Sequence, residues 1–283
     1  TKRELLPKTQ VPWVDGGYFV AQWSVEDKLV EFNPTGGKIC TAVGPAAIEM
    51  GLVEAQEGET QVNILAVNTQ ARVAAVIQTP GRQVSYEGGA RIDGVPGTSA
   101  PIAVQFMETV GGGTGAFLPT GNRVDEIDGI AVTCMDVAMP MVIAKAESFG
   151  LTGYETAAEL DENRAFFDQM EALRQKAGAL MGMGDVTKSV TPKFGLLALA
   201  KAGGTIATRY FMPWSTHPSM AVTGAQCLAS SVLTPGTIAE GMAAKSNETP
   251  ANVILEHASG KIEVADEHAA TATGFAMKSA GPN

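Results

Sequence analysis

At 283 residues, with 45% hydrophobic and 18% charged side chains, the chain can form one large or two ordinary domains with sizeable cores, and its composition is that of a soluble globular protein. A formal net charge of -10 leaves no basic footprint, which argues against nucleic acid or an anionic membrane as partner; an anionic substrate has to be met by local positive groups. No run of about 18 apolar residues is present, and Thr1-Lys-Arg-Glu-Leu-Leu6 lacks the apolar stretch of a signal peptide, so the expected location is cytoplasmic.

Taken in order, the first strand-like runs lie within residues 14–32, and Asn33-Pro34 ends them. Residues 33–50 then combine a Pro/Gly/Thr loop with a mostly uncharged small-residue helix, predicted at about 38–50. Strands are expected at Val62 to Val67, Ala71 to Ile77 and Gln83 to Tyr86. Asp93-Gly94-Val-Pro96-Gly97 is dense in turn residues and marks the expected junction between an N-terminal half, 1–97, and a C-terminal half, 98–283.

In the second half, Ile102 to Phe106, Ile130 to Cys134 and Met141 to Ala144 read as strands. The cluster Gly111-Gly-Gly-Thr-Gly115 lacks the Lys-Ser/Thr of a phosphate loop and the spacing of a dinucleotide fingerprint, so a flexible turn is expected there rather than a cofactor cradle. An amphipathic surface helix begins near Asp161, with Phe166, Met170, Leu173, Ala177 and Leu180 at helical spacing and Gly182 and Gly184 as stops. Asp185 to Lys193 is a polar loop, Phe194 to Ala200 an apolar segment, and Thr205 to Met212 a strand.

That strand delivers the chain to Pro213-Trp-Ser-Thr-His-Pro-Ser219, which runs into a segment with no charged side chain as far as Val232. A helix at about 218–233 with no solvated face has to be buried. Its start offers N–H groups that no helical turn satisfies and a partial positive charge, a place for an anion. Val253 to Glu256 and Lys261 to Val264 flank a hairpin turn at Ser259-Gly260, and the tail from Ala269 is expected to be poorly fixed.

The loop-and-helix grammar occurs twice, and Gly58 to Asn68 resembles Asn247 to His257, as two halves of similar design would. Cys40, Cys134 and Cys227 lie far apart with no Cys-x-x-Cys, so they are expected as small buried hydrophobes. His217, His257 and His268 form no ligand cluster, and neither a metal site nor a cofactor motif is visible.

Two buried helix starts, each facing a polar loop, suit an acid with two or more carboxylates. Removing a proton beside a carboxylate places charge on its oxygens, where preorganised donors lower the barrier. Lys2, Lys38 and Lys193 border the loops of interest and could carry the proton or remain surface amines. His217 could do the same work or donate to a backbone carbonyl. Arg209 could clamp a carboxylate or pair with an acidic residue, and Ser215, Thr216 and Ser219 could cap the helix or donate to substrate.

Arg91-Ile-Asp-Gly-Val-Pro-Gly97, Leu118-Pro-Thr-Gly-Asn122, Ile127-Asp-Gly129, Val132-Thr-Cys-Met-Asp136, Met139-Pro140 and Leu151-Thr-Gly-Tyr-Glu155 together resemble the PrpF family, from about Val14 to Val264. The resemblance implies an α+β, diaminopimelate epimerase-like fold of two pseudo-symmetric halves, each with strands wrapped around a central buried helix and the active site in the cleft between them. It also implies a cofactor-free 1,3-proton shift that moves a double bond in an unsaturated di- or tricarboxylic acid such as aconitate, methylitaconate or 4-oxalomesaconate, and a homodimer.

Lys2 matches the lysine of the family's Thr-Ser-Lys motif and is expected as base or acid, with Lys38 and His217 as the other proton-transfer candidates. Gly36 stands where relatives carry a loop cysteine, with Thr35 and Gly37 beside it. These three and Asn68, Asn122, Lys193, Arg209, Ser215, Thr216 and Ser219 are the expected substrate contacts. The family's leading segment before Lys2 is absent from this sequence, so a fragment is one expectation. The competing expectation is an impaired relative that binds such acids or assists a partner dehydratase. A two-base epimerase would need a thiol in each half, and these loops supply none.

Overall fold

A helix of small and mostly uncharged side chains is stable where strands cover it, and each unit contains one: α4 is without charge and buried, while α1 carries charge only near its ends and keeps part of its surface exposed. In the computed structural model the backbone is described for residues 2–6, 13–24, 29–31, 37–67, 70–93, 95–107, 110–243, 250–271 and 274–282; side chains are described for these except 2–6, 20–24, 29–31, 37–39, 266–271 and 274–282. The chain divides into two compact units, residues 1–108 and 109–282.

The first unit contains β1 (Lys2–Leu6), β2 (Gly16–Ser24), β3 (Leu29–Glu31), α1 (Gly37–Glu49), β4 (Gly58–Ala66), β5 (Ala71–Thr79) and β6 (Ala103–Met107). Its sheet runs β1-β2-β4-β5-β6, with β3 paired to β2. The β2 and β4 strands are parallel, in register from Gly16 opposite Ile64 to Tyr18 opposite Ala66, and such a pair needs a crossover, which α1 supplies. The helix packs on β4, β5 and β6. Gly44 permits that approach, because a Cβ there would stand 2.4 Å from Ile77 Cδ1. Gln83 to Tyr86, expected as a strand, is instead part of a long loop in which Ala100 N donates to Tyr86 O. That loop contains residues 93–97, and β6 beyond it pairs with β5, which keeps residues 98–108 with the first unit.

The second unit contains β7 (Asp125–Ile127), β8 (Ile130–Val137), β9 (Met139–Lys145), α2 (Ala157–Glu162), α3 (Arg164–Leu180), β10 (Lys193–Ala198), β11 (Ile206–Phe211), α4 (Val222–Leu233), β12 (Ala251–His257), β13 (Gly260–Thr271) and β14 (Gly274–Pro282). The strand order is β14-β13-β12-β11-β10-β9-β8-β7. Here α4 joins the parallel strands β11 and β12, and β12 turns back as a hairpin into β13. The first unit follows the same scheme, with α1 between β2 and β4 and the hairpin β4–β5. The similar segments 58–68 and 247–257 are therefore β4 and β12 with their flanks.

The sheet of the second unit has two covered faces. One carries α4, buried from Thr223 to Leu233, against Met141, Ile143, Leu197, Ile206 and Tyr210. Close approach rests on small residues: a Cβ on Gly224 would be 2.5 Å from Tyr210 Cε2, and one on Gly195 would be 2.8 Å from Leu228 Cδ2. The other face carries α3, where Phe166, Phe167, Phe194 and Phe211 form edge-on and tilted ring contacts 5.2 to 6.3 Å apart.

Several sequence expectations change. The helix expected from Asp161 is two helices split at Asn163, whose side chain accepts Phe166 N–H; Thr156 and Glu159 form a reciprocal cap on the first. Leu180 is exposed, because the chain turns away after it. The buried helix starts at Val222, four residues later than expected, because the amides before it bond elsewhere: Thr216 N to Asp161 Oδ1, His217 N to Tyr210 O, and Ser219 N to His217 Nδ1. The backbone of the tail forms a strand pair: β14 runs antiparallel to β13 from Thr271 opposite Gly274 to Val264 opposite Pro282.

Candidate active site

Strand alternation decides which side chains of β11 meet the buried helix. Tyr210 lies against Gly224 of α4, whereas Phe211 packs on α3 and Arg209 shares its face. On β10 the same rule puts Lys193, Gly195 and Leu197 on the α4 side. Lys193 opens β10 opposite Met141. Two residues before Met141, Met139 starts β9 after Ala138, which holds a left-handed backbone at φ 60. The Met139 thioether accepts the Tyr210 hydroxyl at 3.1 Å and lies 3.9 Å from the Thr223 hydroxyl. Met139 and Tyr210 thus meet at the leading turn of α4, and Lys193 shares the α4 face of the sheet.

That turn has no side-chain cap. Ala221 occupies the cap position and accepts from Ala225 N, so the amides of Val222, Thr223 and Gly224 precede the first helical bond. His217 stands beside them, its ring edge-on to Tyr210 at 5.7 Å. Its Nδ1 accepts the Ser219 amide at 3.1 Å, so the neutral ring carries its proton on Nε2. The loop residues Ser215, His217 and Ser219 are half-buried. The Ser215 carbonyl accepts Met212 N–H and closes the turn that leads into the site.

Of the expected site residues, His217 and Ser219 stand together ahead of α4 in the loop that also holds Ser215, Lys193 lies on the α4 face of the sheet, and three others are held elsewhere. Arg209 is buried on the α3 face, where Nε donates to Glu155 O and a terminal nitrogen to Thr208 O. Burial lowers its pKa while Glu155, Tyr154 and Glu256 oppose that shift. This is a structural cation, not a clamp at α4. Thr216 pairs with Phe211 and so turns the same way; its amide is held by Asp161 and its buried hydroxyl has no hydrogen-bond partner among the described residues. Asn122 lies in an exposed turn and donates to Asp125, 2.7 Å away. Gly37 begins α1 and Lys38 follows it; Lys2 begins β1 opposite Ala21. The side chains of Lys2 and Lys38, and Thr35, Gly36 and Asn68 altogether, lie outside the described residues.

Sequence reasoning passed over Tyr210, Met139 and Thr223. The Thr223-Gly224 pair at the start of an uncharged helix was the available signal.

The thiols are inert by position. Cys40 is fully buried against the Tyr18 hydroxyl, 2.7 Å away, and burial pushes its thiol up to about 11, with the Tyr18 hydrogen bond opposing. The glycine cluster holds an anion, but the protein's own: Asp136 Oδ2 accepts Gly113 N, Thr114 N and the Thr114 hydroxyl at 2.7 to 2.9 Å. Asp136 Oδ1 is buried without a partner, and burial raises this carboxyl above its ordinary range against the pull of those donors. A separate cleft of about 410 Å³ opens at the trailing ends of β9 and β10. Its lysines are engaged, Lys145 with Glu147 at 3.9 Å and Lys201 over the Tyr154 ring at 3.9 Å. Among the described residues, no helix is long and apolar enough to cross a membrane, and no cluster of three His, Cys, Asp or Glu side chains could hold a metal.

Comparison with known proteins gives the family and the fold. The family described as PrpF protein matches residues 1–279. A (4E)-oxalomesaconate Delta-isomerase of Novosphingobium sp. (strain KA1) is 40% identical over 262 residues, 93% of this chain and 73% of that one. The crystal structure of a methylitaconate-delta-isomerase superposes with a TM-score of 0.82 at 27% identity, covering 99% of this chain and 77% of that one. A hydroxyproline epimerase from Agrobacterium vitis shares the fold alone, with a TM-score of 0.59 at 13% identity over 99% of this chain and 71% of that one. The architecture is the α+β, diaminopimelate epimerase-like one.

Proposed function

Since the chain belongs to the PrpF family, we propose that this isomerase moves a carbon–carbon double bond in an unsaturated di- or tricarboxylic acid of the aconitate, methylitaconate or 4-oxalomesaconate kind, by a cofactor-independent 1,3-proton shift. The observation that carries the reading is the leading end of α4, buried from Thr223 onward, without a side-chain cap among the described residues, with His217 against Tyr210 there and Lys193 on the same face of the sheet. Amides ahead of the first helical bond and a helix dipole favour a carboxylate there, and an ammonium on the same face of the sheet would reinforce them.

In the reaction, a base removes a proton from one carbon, the double bond shifts, and an acid returns a proton two carbons away. In between, negative charge spreads onto the carboxylate oxygens. Donors fixed in advance at that position are worth about 10²- to 10³-fold each, and the α4 amides, Lys193 and the Nε2–H of His217 are the proposed donors. Ser219 and Thr223 hydroxyls would complete the carboxylate's shell. Lys2 is proposed as the proton carrier, with Lys38 as the second candidate, and Thr35, Gly36 and Gly37 as holders of another carboxylate. General acid–base transfer of this kind contributes about 10²- to 10⁴-fold. A homodimer is proposed on the family resemblance and is tested by light scattering.

The test is isotopic. Purified protein is incubated with trans-aconitate, methylitaconate and 4-oxalomesaconate in deuterated water, and isomerisation with deuterium uptake at the terminal carbon of the shifted system is expected for at least one. A folded protein that exchanges none of them overturns the reading.

A further inference from the structure

The Lys193 ammonium is useful only if its strand starts in one place, and the support for that start comes from the far side of the sheet. Arg174 of α3 is fully buried. Its guanidinium forms a fork with Glu171, Nε to Oε2 at 2.7 Å and a terminal nitrogen to Oε1 at 2.8 Å. The remaining donors reach two main-chain carbonyls, Val186 O at 2.9 Å and Pro192 O at 3.2 Å. Those carbonyls stand at the two ends of the 186–192 loop, and Lys193 is the next residue. One turn along α3, a Cβ on Gly178 would be 2.6 Å from Val186 Cγ2 and 3.4 Å from Pro192 Cδ, so the helix backbone abuts both ends of the same loop.

We propose that Arg174 is a positioning residue for the isomerase: by tying Val186 and Pro192 to α3 it fixes where β10 begins and hence where Lys193 meets a substrate carboxylate. The proposal rests on the reading above that Lys193 binds that carboxylate. Only a planar fork can serve a carboxylate and two carbonyls together; an ammonium has three donors in a cone and no matching geometry. Misplacement of a binding group by about 1 Å is enough to cost up to about 100-fold in rate.

The test is a double-mutant cycle on KM and kcat with the acid that the isotope experiment identifies, alongside thermal melts. Lys193→Ala is expected to raise KM by about 10- to 100-fold. Arg174→Lys is expected to raise KM by about tenfold, with a smaller effect on kcat. In the Lys193→Ala background, Arg174→Lys should change KM by less than about twofold, because its effect passes through the missing ammonium. Should Arg174→Lys not fold, Glu171→Gln loosens the fork while keeping the guanidinium, and a KM rise of about threefold that vanishes in the Lys193→Ala background is expected. Full multiplication of the two effects, or an unchanged KM in the folded Arg174 or Glu171 variant, overturns the positioning role alone. An unchanged KM in Lys193→Ala overturns both it and the carboxylate site.

Discussion

Replacing Gly224 by alanine separates packing from propensity at the leading turn of α4. In a free helix the change is worth about 1 kcal/mol in favour of alanine, and Gly224 does not adopt a left-handed backbone that would forbid a side chain. The added Cβ would stand 2.5, 2.8 and 3.0 Å from three atoms of the Tyr210 ring. That ring is buried, with its hydroxyl on Met139 and its face near His217, so it has little room to withdraw. Overpacking of this kind costs about 1 to 3 kcal/mol, which leaves a net loss of about 1 kcal/mol and a melting shift of about 2 to 4 °C. The larger effect falls on activity, since helix tip and ring are pushed apart where the carboxylate is to be held; a fall in kcat/KM of about 100-fold is expected. Urea titration and the deuterium-uptake assay measure the two quantities. A Gly224→Ala protein that is more stable than the parent and equally active would refute the packing argument and the site with it.

Three further outcomes follow from the same geometry. His217→Asn should keep an acceptor for the Ser219 amide and stay within about 0.5 kcal/mol of the parent, while His217→Ala loses about 1 kcal/mol; both should lower kcat by about 10²- to 10³-fold, read by single-turnover kinetics. Asp136 keeps its proton longer in the folded than in the unfolded state, so unfolding releases a proton and stability falls as pH rises from the ordinary carboxyl range. Asp136→Asn should remove that fall, and denaturant titrations at several pH values would show its stability relative to the parent improving toward neutrality. Glu256 behaves oppositely: burial alone would raise its pKa, but main-chain amides of Lys201, Gly204 and Ala202 outweigh it and lower the carboxyl. Its contribution is present above the ordinary carboxyl pKa and lost on acidification through the lowered value. Glu256→Gln should cost about 1.5 to 3 kcal/mol at neutral pH and flatten the acid limb of the stability profile.

The two central helices were readable because an absence of charge in α4, and its confinement to the ends of α1, is a one-dimensional signal that needs no knowledge of neighbours. The site was harder, because a single residue step on a strand reverses direction. Tyr210 and His217 turn toward α4, while their neighbours Arg209 and Thr216 turn toward α3, and composition favoured the arginine over the tyrosine. Arg174 shows a similar confusion on a helix. Its spacing from Met170 and Ala177 places it on the buried stripe, but a guanidinium there reads as polar until Glu171, Val186 and Pro192 come into view. The glycine cluster at 111–115 read as a flexible turn, and its long-range partner, Asp136, was visible only in three dimensions.

The crossover role of α4 also bears on how the second unit is made. The helix has no face that water can solvate, and the strands that complete its cover, β12, β13 and β14, are synthesised after it. A nascent polypeptide interrupted between Leu233 and Ala251 would leave the side of α4 that β12, β13 and β14 cover bare and oily. Such truncations are therefore predicted to precipitate or recruit chaperones rather than persist as a smaller folded body.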